Sequence, residues 1–90
     1  MVKRKLHHPN IIKKLTIVIP FYNSEKHLHN CLRSVCTQLK KEVEVILIND
    51  NSSDASHKIA KEFKKRYRQI RYIYLKQRKG VSYCRNIGIK

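Results

Sequence analysis

Two short runs, residues 15–20 (LTIVIP) and 43–48 (VEVILI), are apolar at almost every position, and a stretch of helical periodicity separates them. A strand with one solvated face alternates apolar and polar residues, so runs this continuous suit strands covered on both faces, as in a parallel sheet. Parallel neighbours need a crossover, and the intervening segment supplies one. Leu28, Cys31, Leu32, Val35, Cys36 and Leu39 recur at three-and-four spacing along one helix face, while Lys26, His29, Arg33 and Gln38 fall elsewhere. A second stripe, Ala55, Ile59, Phe63 and Tyr67, follows the second run. Residues 70–75 (IRYIYL) form a third strand candidate, and Gly80 breaks the chain before Val81, Cys84 and Ile87 begin a third stripe. The order is strand, helix, strand, helix, strand, start of helix. The expected fold class is therefore α/β, an open Rossmann-like half with three parallel strands alternating with helices.

The boundaries follow from local chemistry. Pro20 is expected to end the first strand, with Asn23 and Ser24 as turn and cap residues, and Ser52 or Ser53 is expected to cap the second helix. Residues 1–14 are polar and basic and read as a mobile arm before the first ordered strand, with residues 15–90 as the folded part. Ninety residues make at most one small domain.

Lys and Arg number 21 against 6 Asp and Glu, a net charge of +15 that attracts any polyanion without choosing among nucleic acid, anionic lipid and nucleotide diphosphate. The odd cysteine count and the helical spacing of Cys31 and Cys36 suggest core packing and no disulfide framework, consistent with a reducing compartment. No apolar stretch approaches transmembrane length, and the run after the basic start is too short and too broken for a signal peptide. The expected location is cytoplasmic.

Ligands of open α/β sheets bind outside the carboxyl ends of the strands, and both polar clusters, PFYNSE and NDNSSD, fall at that edge. A carboxylate there can accept hydrogen bonds from a ribose hydroxyl or a base N–H, which makes Asp50 the candidate; spacing alone leaves a turn-forming role equally open. Asp54, next to a helix start, reads mainly as a cap and a partner of the helix dipole. Neither a G-x-G-x-x-G fingerprint nor a P-loop is present.

Three motifs occur in order: P-x-Y-N at residues 20–23, [DN]-D-x-S-x-D at 49–54, and G-x-S-x-x-R-N-x-G at 80–88. Together they resemble the amino-terminal part of the family 2 glycosyltransferases, enzymes of the GT-A fold that transfer sugars from nucleotide-sugar donors. The resemblance covers residues 15–90. It implies that Pro20, Tyr22 and Asp50, with Glu25, hold the donor nucleoside, and that Arg85 and Asn86 serve the diphosphate or the nucleotide loop. A packing wedge for Tyr22 and a salt bridge from Arg85 to Asp50 or Asp54 remain open. The implied donor is a uridine diphosphate sugar.

In the family a later Asp-x-Asp motif holds a divalent cation, Mg or Mn, and a catalytic base lies further on; neither motif lies within this sequence. No catalytic residue, metal ligand or bound cofactor is therefore assigned here, and the expectation is a truncated donor-binding portion. A glycan or lipid-linked acceptor at the inner membrane face is implied for a full-length parent only. Self-association is expected through the uncovered edge of the first strand. Two rival readings remain: a basic nucleic-acid-binding module with Tyr67, Tyr72, Tyr74 and Tyr83 among arginines, and an inactive structural remnant. Metal binding by His7, His8, Cys31, Cys36 and Cys84 lacks turn-borne spacing.

Overall fold

The structure, a computed structural model, describes residues 3–6 and 15–89. Its elements are β1 (Lys3–Leu6), β2 (Leu15–Phe21), α1 (Glu25–Cys36), β3 (Val43–Asn49), α2 (Ser56–Arg66), β4 (Ile70–Tyr74) and α3 (Val81–Ile89). The sheet order is β1-β2-β3-β4; β2, β3 and β4 are mutually parallel, and β1 lies antiparallel on β2. The three parallel strands with alternating helices are those expected.

Strand periodicity splits the core in two. Ile19, Phe21, Val45, Leu47 and Ile70 pack with Leu28, Leu32 and Cys36 of α1 and with Ala60 and Phe63 of α2. Their neighbours Val18, Ile46 and Ile48 face the other way and pack with Cys84 of α3. Both faces are therefore covered, which is why the two runs carry almost no polar residue. Leu32, Val45, Leu47 and Ile48 are wholly excluded from solvent, and removal of such a side chain from water contributes about 1.5–3 kcal/mol each.

Several boundaries differ from expectation. Pro20 lies inside β2, which continues to Phe21. The hydrogen-bond phase explains this: Leu15 N donates to Glu42 O, and Phe21 O accepts from Asp50 N. The odd-numbered residues of β2 thus face β3, and Thr16, Val18 and Pro20 turn their backbone groups outward, where a missing N–H breaks no bond to β3. Helix α1 stops at Cys36, leaving Leu39 in the following turn, where it still packs on the core. Cys31, assigned to the buried stripe, is exposed, because the burying residues Leu28, Leu32 and Cys36 step by four and Cys31 sits off that line.

The segment read as a mobile arm contains β1, paired with β2 from Leu6↔Leu15 to Lys3↔Val18; residues 7–14 lie outside the described residues. A four-residue strand of sequence KRKL has neither the length nor the apolar content to show in a pattern. The edge of β2 expected to be bare is covered as far as Val18.

Candidate functional site

The two polar clusters lie side by side at the carboxyl edge of the sheet and bond to one another. Asn23 N donates to Ser52 Oγ (2.9 Å), and Ser53 N donates back to Asn23 Oδ1 (2.8 Å). Ser24 N donates to Ser56 Oγ at 2.8 Å. Glu25 N donates to Asp54 Oδ2, and Ala55 N donates to Glu25 Oε1, both at 3.1 Å. Asp54 Oδ1 also accepts from Ser56 N at 2.9 Å. Each helix start thus has one backbone N–H bonded to the acid at the start of the other, a capping arrangement made across the fold as well as along the chain. Partial burial pushes the Asp54 carboxyl up, but the hydrogen bonds from Ser56 and from the Glu25 backbone outweigh it and hold it below its ordinary value.

This lattice replaces the expected serine cap. Helix α2 begins at Ser56, with Ala55 at the cap position and no side-chain cap bond from it. The cause lies upstream, where Asn49 Oδ1 accepts from Ser52 N at 2.8 Å and Asn51 takes a left-handed φ of 62°, so the loop makes a further turn before the helix starts. Ser24 occupies the cap position of α1, but its hydroxyl donates to Tyr22 O (3.2 Å).

Asp50 does different work. It is 3% exposed. Its Oδ1 accepts from Lys79 N at 2.6 Å, its Oδ2 accepts from Gly80 N at 2.8 Å, and Arg78 Nε lies 3.6 Å from Oδ2. The strand-end carboxylate thereby fixes the β4–α3 loop, in which Gly80 has a φ of 92°, a conformation that a residue with a Cβ rarely adopts. The Arg78 guanidinium carbon lies 3.7 Å from the centroid of the Tyr22 ring. An open cleft of about 270 Å³ is lined by Pro20, Tyr22, Asp50, Arg78, Val81 and Cys84 among others. Burial, then the nearby Asp50 charge, push the Cys84 thiol up, so this cysteine stays protonated.

The structure thus brings Pro20, Tyr22 and Asp50 together. Glu25 is turned toward the backbone of Ala55, Arg85 is half-buried and Asn86 is exposed, and none of these three lines the cleft. Arg85 Nε is buried with no hydrogen-bond partner among the described residues. The salt bridge considered for Arg85 is made instead by Arg78 to Asp50. Arg78 went unrecognised as a site residue because it lies outside every motif; its sole signal was membership of the basic pair Arg78-Lys79.

A second polar chain runs beneath α2. Asn49 Nδ2 donates to the Tyr72 hydroxyl at 2.8 Å, and His57 Nδ1 lies 2.7 Å from the same hydroxyl oxygen in a second hydrogen bond. Burial raises the Tyr72 pKa against the opposing hydrogen bond from Asn49. With its hydroxyl so engaged and its ring half-buried, Tyr72 is not a free platform for base stacking.

Among the described residues no three His, Cys, Asp or Glu side chains converge on a point that a metal ion could fill. Cys36 and Cys84 pack on opposite faces of the sheet, Cys31 is exposed, and His7 and His8 lie outside the described residues. Both carboxylate oxygens of Asp50 and of Asp54 accept backbone N–H bonds. No described helix is long and apolar enough to cross a membrane.

The sequence profile of glycosyl transferase family 2 matches residues 16–90. Glycosyltransferase GlyA of Streptococcus pneumoniae is 42% identical over 76 residues, a match covering 84% of this chain and 11% of that protein. The teichoic acid poly(glycerol phosphate) polymerase of Staphylococcus epidermidis is 36% identical over 80 residues, covering 88% of this chain and 11% of that one. The crystal structure of S. aureus TarS superposes with a TM-score of 0.70 at 28% identity, covering 80% of this chain and 13% of TarS. The chain thus spans between 11 and 13% of the length of these three relatives. The nucleic-acid-binding and structural-remnant readings gain no support from them.

Proposed function

We propose a donor-binding role from one premise: this chain belongs to glycosyl transferase family 2. The cleft takes the nucleoside end of a nucleotide-sugar donor, with uridine diphosphate as the carrier. The observation that supports this reading is the convergence of Pro20, Tyr22 and Asp50 on one cleft at the carboxyl edge of the parallel strands. Tyr22 offers a large, partly exposed ring to a planar base. Each Asp50 oxygen receives one backbone N–H and retains a second lone pair, so the carboxylate can still accept a ribose hydroxyl or base N–H. The backbone N–H groups of residues 79 and 80 hold it in place for that contact, so little ordering remains to be done when ligand arrives.

Within this reading Glu25 acts through the helix junction and not on ligand, and Arg85 and Asn86 belong to the start of α3 that borders the cleft. Transfer itself is assigned to no residue of this chain. The Staphylococcus epidermidis relative named for teichoic acid suggests a cell-envelope polymer or its lipid-linked precursor as acceptor of the whole protein, at the cytosolic face of the membrane.

Isothermal titration with uridine diphosphate tests the proposal. Binding is expected, and Tyr22→Ala should weaken it by roughly ten-fold, since stacking of a base on an aromatic ring is worth about 1–3 kcal/mol. Equal binding by the parent, Tyr22→Ala and Asp50→Asn would show that the nucleoside sits elsewhere.

A further inference from the structure

The cation–ring contact joins Tyr22, a motif residue, to Arg78, which lies outside every motif, and neither side chain belongs to the buried core. Its guanidinium carbon is 3.7 Å from the ring centroid, whereas the two other cation–ring approaches, Arg66 on Phe63 and Lys79 on Tyr83, are at 5.9 and 5.7 Å. Only the first is close enough for van der Waals contact across the ring face. Arg78 and Tyr22 line the same cleft, so the guanidinium and the ring face it covers meet at the cleft wall. A base that stacks on that face must displace the guanidinium.

We infer that Arg78 is a built-in occupant of the stacking face, displaced by the nucleoside and then turned onto the diphosphate; this deepens the donor-binding reading and rests on it. The backbone next to Arg78 is pinned, since Lys79 N and Gly80 N both donate to Asp50. Its side chain is not. It is 58% exposed and held by the ring and by a 3.6 Å approach to Asp50 Oδ2, an oxygen already shared with Gly80 N. A fixed root with a loosely held head is the geometry of a side chain that swings.

The chemistry of the swing is favourable at both ends. While the guanidinium covers the ring, the apparent affinity for a base falls by the fraction of molecules left uncovered. An exposed cation–π contact of this kind lowers that fraction by about five-fold. Once displaced, the same group presents a planar fork of N–H donors suited to a diphosphate, and Arg78 is the one basic side chain lining the cleft among the described residues. One residue therefore opposes the nucleoside and favours its phosphates, which raises discrimination between the charged carrier and the bare nucleoside.

The test compares uridine with uridine diphosphate on the full chain, as parent, Arg78→Ala and Arg78→Lys. Arg78→Ala should bind uridine about five-fold more tightly. It should also lose about ten-fold or more of the preference for uridine diphosphate over uridine. Arg78→Lys should bind uridine more tightly while keeping part of that preference. A residue that merely supported the loop would weaken both ligands together, and that result would overturn the inference. Proton resonances supply a readout that needs no affinity: the Arg78 side-chain protons should be shifted upfield by the Tyr22 ring in the free protein, and should relax both in Tyr22→Leu and at saturating uridine. Nucleotide bound at the cleft with the Arg78 shift unmoved sinks this inference alone. Absence of any cleft response to either ligand sinks the donor-binding reading, and this one with it.

Discussion

The two faces of the sheet are built to different standards. On one, α1 and α2 bury a broad cluster from Ile19 to Ile70, and their starting turns are bonded to each other through Glu25 and Asp54. On the other, among the described residues, α3 packs on Val18, Ile46 and Ile48 through Cys84, and the loop leading into it is anchored by the carboxylate of Asp50. The cleft opens on the thinner side, where Pro20, Val81 and Cys84 meet. The contrast teaches that rigidity and access are divided between faces: one supplies the stability of the domain, and the other can open locally at small cost.

If that division is real, substitutions on the two faces should fail in different ways. Leu32→Ala, on the thick face, removes a fully buried side chain and should cost about 2–5 kcal/mol. A domain this small has only about 5–15 kcal/mol of stability in total. Urea denaturation should therefore show the whole chain unfolding earlier, with every amide affected. Asp50→Asn, at the thin face, leaves a backbone N–H opposed by an amide or unpaired, at about 1–3 kcal/mol. Hydrogen exchange should quicken at Lys79, Gly80 and Cys84 with the amides of β2 and β3 little changed; equal acceleration in the strands would mean that the faces are one cooperative unit.

The smallest expected effect belongs to Asp54→Asn, about 1 kcal/mol for a capping carboxylate. The folded Asp54 carboxyl lies below its ordinary value of 3.8. As pH falls the unfolded chain therefore takes up this proton first, so the stabilisation is complete above that ordinary value and is lost as pH drops through the lower folded one. Acid titrations of stability for parent and variant should diverge at neutral pH and converge at the acid end. Divergence that grows toward acid would assign the effect to another group.

Much of this was legible in sequence where the signal is periodic. Strands β2 and β3 are written as continuous apolar runs because both of their faces are covered, and α1 is written as a four-residue step through Leu28, Leu32 and Cys36. Pro20, Tyr22 and Asp50 were legible as a group through motif order, although no spacing rule says that they share a cleft. Arg78 was not, since its partners Tyr22 and Asp50 are distant in the chain and meet it only after the β4–α3 loop folds back. The cap of α2 was misplaced for a related reason: Ser52 and Ser53 carry the right chemistry, but Asn23 from the other loop takes them up. Contacts between loops leave no period in a sequence.

Pro20 has a consequence beyond its own strand. Its outward-facing backbone carries no N–H, and it lies two residues beyond Val18, the partner of Lys3 in the described part of β1. A strand laid along Pro20 would find one backbone donor missing there. The residue that lines the cleft thus also interrupts the row of donors on its own strand, which makes that end of the strand a poorer template for pairing.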